Sequence, residues 1–323
     1  MSTLVTGCAG FVASHLTERL LADGERVLGI DCFNDNYARG QKLRNLSRVR
    51  EWDSFEFLPI DLSRGDLGDV VADCDTVYHL AAEPGVRSSW GSRFERYAQN
   101  NIVATQHLLE ALRTTPDTRL VYASSSSIYG QAESLPTRED VIPRPLSPYG
   151  VTKLSAEQLC DLYFENYGVK AVSLRYFTVF GPRQRPDMAF NIFCSAALAG
   201  EPVTVYGDGS QTRDFTYVDD VAAVTVAAGK SPTVEFGQVY NVGGGFRTSL
   251  RGALDAIGDL VGRPLDIRYS QWEHGDVRDT GADTTRARRD LGFAPQVQLR
   301  EGLAAELEWL AADDVAASAG RSG

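Results

Sequence analysis

Several features that would assign a function directly are missing from this chain of 323 residues. Its five cysteines are scattered and odd in number, and no Cys-x-x-Cys pair or Cys/His cluster has the spacing of a zinc site. No stretch of about 18 apolar residues occurs, and the first residues lack the basic and apolar parts of a secretory leader. We therefore expect a cytoplasmic protein with no metal site, no disulfide framework and no membrane association.

Positive charge is also scarce. The chain has 32 Lys and Arg residues against 43 Asp and Glu residues, which gives a formal net charge of -11 at pH 7. No general positive field therefore attracts nucleic acid or an anionic membrane, and an anionic ligand has to be bound by individually placed arginines. With 43% apolar and 23% charged residues, the composition is that of an ordinary globular protein.

The first half of the chain alternates short apolar or β-branched runs with helix-like segments. Near-continuous apolar strands that are separated by helices predict a parallel sheet covered on both faces, a doubly wound α/β fold. The predicted strands are residues 3–7, 26–31, 55–61, 76–82, 119–127 and 170–177, and the predicted helices include 11–23, 96–113 and 149–167.

This alternation stops after Gly181. A bend rich in Pro, Gly and Arg is followed by a predicted helix at 188–199, and residues 237–245 look like another strand of the sheet. The chain is thus predicted to return to its first domain and to leave it again near Ser249. The predicted limits are 1–182 and 214–248 for the first domain, 183–213 and 249–315 for a smaller second domain, and 316–323 for a frayed tail of small residues.

Two glycines lie between the first predicted strand and the first predicted helix. Gly7 and Gly10 allow the backbone to approach a pyrophosphate at the helix N-terminus, and Ala13 still allows the helix to pack closely on the strand. Alone, this pattern also fits a plain tight turn. Asp31, at the end of the second strand, suits the hydroxyls of an adenosine ribose and repels a 2′-phosphate, so NAD is favoured over NADP. Asp61 suits either the adenine edge or the cap of a following helix.

Tyr149 and Lys153 form a Y-x-x-x-K pair. On a helix this spacing puts both side chains on one face, where the ammonium lowers the tyrosine pKa and makes a tyrosinate available as a general base for an alcohol. A contact on the surface of a helix gives the same pattern. The four serines of 124–127 end the preceding strand at the sheet edge where ligands of α/β folds bind, although serines there also satisfy the backbone of a turn.

In this order and spacing, the motifs resemble the extended short-chain dehydrogenase/reductase family, the nucleotide-sugar epimerases and dehydratases. The likeness covers nearly the whole chain and includes "TGCAGFVASHL", "HLAA", "SSSSIYG", "SPYGVTK", "RYFTVFGP", "GDGSQTRDFTYVDDV" and "GDVRDT". It implies a Rossmann-type sheet domain, a smaller C-terminal α/β substrate domain, and NAD that stays bound and is recycled. Ala13, where the family usually has glycine, is a tolerated departure.

The resemblance also implies a role for each matching residue. It makes Tyr149 the base, has Lys153 orient the nicotinamide ribose, and puts Ser125 between the tyrosine and the sugar O4. The implied NAD contacts are Gly7, Gly10, Phe11, Val12, Asp31, Asn34, Asp61, Leu62, Leu80, Ala81, Ala82, Asn100, Tyr149, Lys153 and Tyr176. The implied substrate contacts are Arg87, Ser125, Ser126, Ser127, Thr178, Arg185, Val205, Tyr206, Arg213 and Arg278, with Ser127 beside the sugar.

The segment "SSSSIYG" separates the reactions within the family. In the 4,6-dehydratases this segment resembles T-D-E-V-Y-G, and in the decarboxylases it resembles T-S-E-V-Y-G. Both groups have an acid where this chain has Ser127. Dehydration requires an acid and base pair that serines do not provide, so the chain resembles a 4-epimerase. Arg213 and Arg278 match the contacts to diphosphate and ribose, and "EPVTVYGDG" resembles the loop that holds uracil. Pairing of these two arginines with Asp214 and Asp279 is the alternative.

The stretch "RYFTVFGPRQRPDMAF" resembles UDP-glucuronate 4-epimerases, with Thr178 where UDP-glucose epimerases usually have asparagine. Oxidation of glucuronate at C4 gives a β-keto acid, which loses CO2 when its carboxylate stands perpendicular to the carbonyl. A bidentate arginine on a rigid bend prevents this by holding the carboxylate near the ring plane. We assign this task to Arg185, assisted by Thr178 and a strand-end serine, although a surface contact to Asp187 is the alternative. Arg87 is the rival clamp, and Arg183 is interpreted as a surface residue.

The sequence therefore predicts a 4-epimerase that interconverts UDP-glucuronate and UDP-galacturonate. The alternatives are a UDP-glucose or dTDP-hexose 4-epimerase, a UDP-glucuronate decarboxylase, and an NAD-binding protein without catalytic activity, against which the intact Tyr149 and Lys153 argue. Helices 96–113 and 149–167 have apolar faces that commonly form a dimer interface in this family. The resemblance thus implies a homodimer that binds a UDP-sugar and no nucleic acid.

Overall fold

The computed structural model describes residues 2–273 and 275–319, and a parallel sheet lies at its centre. The strands are β1 (Ser2–Thr6), β2 (Val27–Ile30), β3 (Phe55–Leu58), β4 (Cys74–His79), β5 (Arg119–Ser125), β6 (Lys170–Tyr176), β7 (Val179–Phe180), β8 (Val203–Tyr206), β9 (Thr212–Asp214), β10 (Thr216–Tyr217), β11 (Val239–Val242), β12 (Arg247–Ser249) and β13 (Ile267–Ser270). Seven of them form one sheet in the order β11-β6-β5-β4-β1-β2-β3, and every pairing in it is parallel. The predicted fold class is confirmed.

Helices cover both faces of this sheet. They are α1 (Phe11–Ala22), α2 (Arg39–Asn45), α3 (Gly68–Ala72), α4 (Phe94–Tyr97), α5 (Ala104–Leu112), α6 (Pro148–Tyr167), α7 (Ala189–Ala199), α8 (Val218–Lys230), α9 (Leu250–Val261), α10 (Thr285–Leu291) and α11 (Leu299–Ala319). Short 3-10 turns lie at Val49–Glu51, Arg87–Ser89, Gly91–Arg93 and Ser126–Ile128, and the π-helical segment Ala98–Val103 joins α4 to α5. Within the described ranges, no helix is long and apolar enough to cross a membrane.

The two faces of the sheet are buried by different helices. On one face, Leu16 and Leu20 of α1 pack in one core with Val221 of α8, and all three are fully buried. On the other face, Leu108 of α5 packs in one core with Ala156 of α6. Because β1 and β4 are covered on both sides, nearly all of their residues are buried instead of every second one.

The second half of the chain contributes to the sheet and also builds a separate core. β11 pairs with β6 at the edge of the sheet, which is the return that the pattern of residues 237–245 predicts. Helices α7, α9 and α11 pack around β8 through residues such as Phe193, Leu254 and Leu303. The domain limits given above stay a prediction.

The C-terminal helix α11 is longer than expected. It continues through Ala319, so residues 316–319, which were expected to be frayed, are helical. Alanine has the highest intrinsic helix propensity, and the segment "AADDVAASA" contains five alanines, which explains the difference. Residues 320–323 of the predicted tail lie outside the described residues.

A buried ion pair joins α6 to the sheet beneath the ends of β5 and β6. Nη2 of Arg175 lies 2.7 Å from Oε1 of Glu157, and both residues are 5% exposed. Nη1 of Arg175 donates to the hydroxyl of Tyr129 at 2.6 Å and to the carbonyl of Glu139 at 3.0 Å. Ser124 donates to Oε2 of Glu157 at 2.6 Å, so both charges have hydrogen-bond partners. A buried charge is tolerated only under such conditions.

We predict that Arg175→Leu lowers the free energy of unfolding by about 3–5 kcal/mol, because it leaves the Glu157 carboxylate buried without its cation. Urea denaturation followed by circular dichroism measures this. Arg138→Leu is the control, since Arg138 pairs with Asp140 on the surface at 68% side-chain exposure, and it should change the free energy by no more than about 0.5 kcal/mol. A loss at Arg175 as small as that at Arg138 would contradict the assignment.

Candidate active site

One cleft runs along the sheet edge where the strands end. All the residues that the sequence predicts to contact NAD line it. At its centre Gly7, with φ +70, follows β1, and a Cβ there would lie 2.8 Å from Cα of Ala81. Only glycine therefore fits between the turn and the loop after β4. Helix α1 begins at this turn with no acidic residue in its first turn, so its N-terminus is suited to an anionic group.

Asp31 lies at the end of β2 inside the same cleft. Its Oδ1 accepts a hydrogen bond from the backbone N of Phe33 at 2.7 Å, and its Oδ2 accepts one from Ala9 at 3.2 Å. Burial raises the pKa of Asp31, and the nearby Lys42 ammonium opposes this shift. The orientation of the carboxylate is thus fixed by the backbone. These features fit a dinucleotide with an unsubstituted adenosine ribose.

Asp61 also lines this cleft, but one of its two suggested roles is wrong. Its Oδ1 accepts from the backbone N of Ser63 at 2.9 Å and from the Ser63 hydroxyl at 2.7 Å. The following helix begins only at Gly68. The carboxylate therefore closes a turn and does not cap a helix. Its contact to adenine stays a prediction.

Four residues with polar or ionisable side chains that the sequence did not reveal also line the cleft. Lys42 of α2 is 4% exposed, and its Nζ donates to the carbonyl of Asn34 at 2.8 Å and to the Asn34 side chain. The loop after β2 turns α2 back over the cleft, and no local pattern in the sequence predicts that path. The others are Cys32, Asn36 and Tyr37.

Tyr149 and Lys153 lie in the N-terminal half of α6 and both reach the cleft. The Ser125 side chain is near enough to the Tyr149 phenol to act on its pKa, and the Tyr149 ring meets the Tyr97 ring edge-on with 6.2 Å between the ring centres. Lys153 is 3% exposed, and its Nζ lies 4.4 Å from the centre of the Tyr122 ring. The predicted association of the serine strand end with Y-x-x-x-K is therefore present in the geometry.

The electrostatics of this pair differ from the expectation. Burial raises the pKa of Tyr149, and the hydrogen bond with Ser125 and the charge of Arg185 act against this shift. Burial also lowers the pKa of Lys153 to about 7, because only the Cys160 and Glu157 side chains oppose the desolvation. The effect of Lys153 on the tyrosine pKa stays a prediction. The cation that favours the tyrosinate is Arg185.

The serine run divides between two surroundings. Ser124 donates to the buried Glu157, whereas Ser125 acts on the pKa of Tyr149, because successive residues of a strand point to opposite sides. The Ser125 Oγ also accepts from the backbone N of Ser127 at 3.1 Å, so it serves the turn as well. Ser126 and Ser127 are partly exposed in the 3-10 turn that follows. Their contacts to a sugar stay predictions.

A second cleft adjoins the first and lies beside β8 and α7. Arg185 lines both clefts, which places it at their junction. The predicted substrate contacts that line the second cleft are Arg87, Thr178, Arg185, Tyr206 and Arg213. The side chain of Val205 does not, because it is fully buried in the core under β8, while its neighbours Thr204 and Tyr206 face the cleft.

Arg213 is held by backbone carbonyl groups. Its guanidinium donates to the oxygens of Val277 at 2.6 Å, Arg278 at 2.8 Å and Thr212 at 2.9 Å. Burial lowers its pKa. Asp214 accepts instead from backbone N atoms such as that of Ala282 at 2.9 Å, so the alternative pairing of Arg213 with Asp214 is wrong.

Arg278 is more exposed and more loosely held than Arg213. Its side chain is 69% exposed, and its Nε lies 3.9 Å from Oδ2 of Asp279. The alternative pairing with Asp279 is therefore present as a weak contact, which leaves the guanidinium able to bind a phosphate or a ribose.

Gln211 is a further residue that sequence reasoning missed. It is 7% exposed, lines the second cleft and donates from Nε2 to the carbonyl of Tyr206 at 2.8 Å. Its buried Oε1 has no hydrogen-bond partner among the described residues. A buried acceptor of this kind is suited to a donor from a ligand. The one feature of the sequence that could have indicated a role for Gln211 is its position between the glycines of "GDGSQ" and Arg213.

The two arginines that compete for a substrate carboxylate have different partners. Arg185 binds Asp187 side-on, with Nε at 2.9 Å from Oδ1 and Nη2 at 3.0 Å from Oδ2, so the suggested contact to Asp187 exists. Arg87 donates to Oδ2 of Asp276 at 2.7 Å and stacks 4.3 Å from the centre of the Tyr206 ring. Only Arg185 is close enough to Tyr149 to affect its pKa.

Residues 3–243 match the NAD dependent epimerase/dehydratase family. The chain belongs to this family. A Bacillus subtilis (strain 168) protein named as an uncharacterized UDP-glucose epimerase, YtcB, is 43% identical over 312 residues, 96% of this chain and 98% of that protein. A UDP-glucuronate 4-epimerase of Thermodesulfobacterium geofontis (strain OPF15) is 37% identical over 311 residues, 95% of each chain. The family that the sequence motifs suggest is confirmed.

A solved structure shares nearly the whole fold. The crystal structure of the UDP-glucuronic acid 4-epimerase of Bacillus cereus, in complex with UDP-glucuronic acid and NAD, superimposes with a TM-score of 0.94 at 42% identity. The match covers 97% of this chain and 99% of that one. Epimerases of the NAD dependent family thus share both the sheet and the smaller core of this protein.

We predict that Gly150→Ala reduces turnover by about tenfold or more, because a Cβ at Gly150 would lie 2.7 Å from the carbonyl oxygen of Ser127 and displace the serine turn from Tyr149. The overpacking cost of about 1–3 kcal/mol exceeds the gain of about 1 kcal/mol in helix propensity. Steady-state kinetics and thermal unfolding measure the two effects. Gly40→Ala is the matched control, because the nearest atom to its Cβ is Nη1 of Arg44 at 3.7 Å; equal turnover in both variants would sink the prediction.

Proposed function

We propose that this protein is a UDP-glucuronate 4-epimerase that interconverts UDP-glucuronate and UDP-galacturonate. The observation that carries the proposal is the position of Arg185, which lines both clefts and acts electrostatically on Tyr149. A cation there lies within reach of a sugar whose C4 hydroxyl is at Tyr149. The likeness to the Bacillus cereus epimerase, which was solved with UDP-glucuronic acid, supports the same substrate.

The first cleft is suited to NAD. Gly7 and the N-terminus of α1 would hold the pyrophosphate, Asp31 the adenosine ribose, and Lys153 the nicotinamide ribose. Bound NAD supplies the hydride acceptor and donor for C4 of the sugar. A lysine with a pKa near 7 is suited to hydrogen bonding with ribose hydroxyls in either protonation state.

Tyr149 takes the proton of the C4 hydroxyl and returns it after the sugar has turned. Burial disfavours its tyrosinate, so the group needs compensation from its surroundings. Ser125 donates a hydrogen bond to the phenolate, and Arg185 contributes a positive charge. Ser125 also links the phenol to the turn of Ser127, which lies beside the sugar in this assignment.

Arg185 has a second task, which is to keep the C6 carboxylate in place while C4 is a ketone. Loss of CO2 breaks the C5–C6 bond, leaves its electron pair in an enolate across C4 and C5, and requires the carboxylate to rotate out of the ring plane. Asp187 uses the Nε–Nη2 edge of the guanidinium, so the Nη1 group remains available to a second carboxylate. Thr178 lines the same cleft. Arg87 is tied to Asp276 and Tyr206, which favours the nucleotide end for it.

A UDP-glucose 4-epimerase is the second candidate. The Bacillus subtilis relative is named as an uncharacterized UDP-glucose epimerase, and Asp187 already balances the charge of Arg185, as a substrate without a carboxylate would require. We further propose a cytoplasmic homodimer that associates through α5 and α6. Exposed apolar side chains on α6, at Val151, Leu162 and Tyr167, support that interface.

We predict that the purified protein, with no cofactor added, converts UDP-glucuronate to UDP-galacturonate, because bound NAD is regenerated in each cycle. Each nucleotide sugar is incubated separately and the 4-epimers are resolved by chromatography. Tyr149→Phe is the control and should lose at least about a hundredfold in kcat, since it removes the oxygen that accepts the C4 proton in this proposal. Turnover of UDP-glucose but not of UDP-glucuronate would refute the first proposal and favour the second.

We also predict that Arg185→Ala shifts the products from UDP-galacturonate toward UDP-pentoses, because the carboxylate is free to rotate in the ketone. The ratio of the two products should rise by about tenfold or more, and KM for UDP-glucuronate should rise as well. Mass spectrometry of the products measures the ratio. Arg300→Ala is the control, since Arg300 lies on the surface and pairs with the exposed Asp259. Unchanged epimerisation with no additional UDP-pentose would remove Arg185 from this role.

A further inference from the structure

The backbone of Arg183 has an unusual conformation. Its φ is +68, and Arg183 and Phe33 are the two non-glycine residues with positive φ within 2–273 and 275–319. The left-handed region is unfavourable for a residue with a long side chain, so the surrounding contacts have to maintain it. Arg183 precedes Arg185 by two positions, so its backbone sets the direction in which the chain approaches the clamp.

The guanidinium of Arg183 provides such contacts. Its side chain is 12% exposed, and Nη2 lies 2.6 Å from Oε1 of Glu18 while Nη1 donates to the hydroxyl of Ser14 at 3.2 Å. Both partners belong to α1, the helix whose N-terminus faces the cofactor cleft. The interpretation of Arg183 as a surface residue is therefore wrong.

Neighbouring residues of the bend are fixed as well. The carbonyl of Pro182 lies 3.0 Å from Nε2 of His15 on α1, and the side chain of Gln184 accepts from the backbone N of Asn191 at 2.8 Å. Gln184 also donates from Nε2 to the carbonyl of Val179 at 3.2 Å. The bend is thus attached to α1 on one side and to α7 on the other, and Arg183 forms its ion pair with α1.

We propose that Arg183 is a positioning residue for Arg185: its guanidinium fixes the left-handed backbone of the bend on α1 and thereby aims Arg185 at the junction of the two clefts. Through α1, the cofactor cleft and the sugar clamp share one rigid element. The consequence for the carboxylate rests on the proposed function, whereas the anchoring of the bend does not.

The test compares Arg183→Gly with Arg183→Lys and Glu18→Gln. Glycine adopts φ +68 without strain, so Arg183→Gly removes the guanidinium without a steric conflict in the backbone. Glu18→Gln removes the ion pair and leaves the backbone of the bend unchanged, so an effect common to both variants comes from the lost contact. Lysine retains a charge for Glu18 and should restore part of the wild-type behaviour. Arg19→Gln is the matched control, because Arg19 is an exposed arginine on the same helix.

Two measurements separate the anchoring from its effect on the reaction. Amide hydrogen exchange of residues 184–188 should rise about tenfold in Arg183→Gly and Glu18→Gln and remain unchanged in Arg19→Gln. The ratio of UDP-pentose to UDP-galacturonate should rise by about fivefold, and KM for UDP-glucuronate should rise with little change in kcat. A structural role alone would lower stability without changing the product ratio.

Unchanged amide exchange of residues 184–188 in a folded Arg183→Gly protein overturns the inference. The inference also fails if exchange increases in Arg183→Gly but the ratio of UDP-pentose to UDP-galacturonate stays the same, while Arg185→Ala changes that ratio. If the wild-type protein does not convert UDP-glucuronate, the proposed function fails, and the exchange measurement still decides whether Arg183 holds the bend. Increased exchange then supports the anchoring, and unchanged exchange rejects it.

Discussion

Parallel pairing of all seven strands is the constraint on which the rest of this structure depends. It brings the carboxyl ends of all seven strands to one edge of the sheet, so the loops that carry the site have to meet there. The meeting is close: the turn after β1 and the loop after β4 leave room for no side chain at Gly7. The cofactor cleft, the serine turn and the start of the bend at Gly181 all lie near this edge of the sheet.

Burial at that edge has an electrostatic cost, which the protein meets with neighbouring groups. Arg175 and Glu157 neutralise each other below the strand ends, and Ser124 completes their hydrogen bonds. Tyr149 and Lys153 lie above them, and burial disfavours the charged form of both. Because strand residues alternate, Ser124 serves the structural pair and Ser125 serves the tyrosine. One serine run thus connects the stability of the sheet to the chemistry of the site.

The sequence was sufficient for the features that depend on periodicity and local spacing. Apolar runs separated by helices predicted the sheet, including the return of residues 237–245 to it, and the Y-x-x-x-K spacing placed Tyr149 and Lys153 on one helix. Pairing between distant segments could not be predicted in this way. The burial that lowers the Lys153 pKa, the path that brings Lys42 into the cleft and the contact of Arg183 with Glu18 depend on tertiary packing, which leaves no periodic signal.

The pair of Arg185 and Asp187 explains how a carboxylate clamp can exist without a buried, unpaired cation. The Arg185 side chain is 16% exposed, and an isolated charge at that depth is costly, so a fixed partner is required. Asp187 is 54% exposed and therefore can provide that partner from the solvent side. It uses the Nε–Nη2 edge, and a substrate carboxylate can bind at Nη1 without displacing it. For that geometry to select the carboxylate, the guanidinium plane has to be fixed before the substrate arrives, since ordering a mobile arginine on binding would reduce the affinity for the carboxylate. Fixation by α1, through Arg183, meets that requirement.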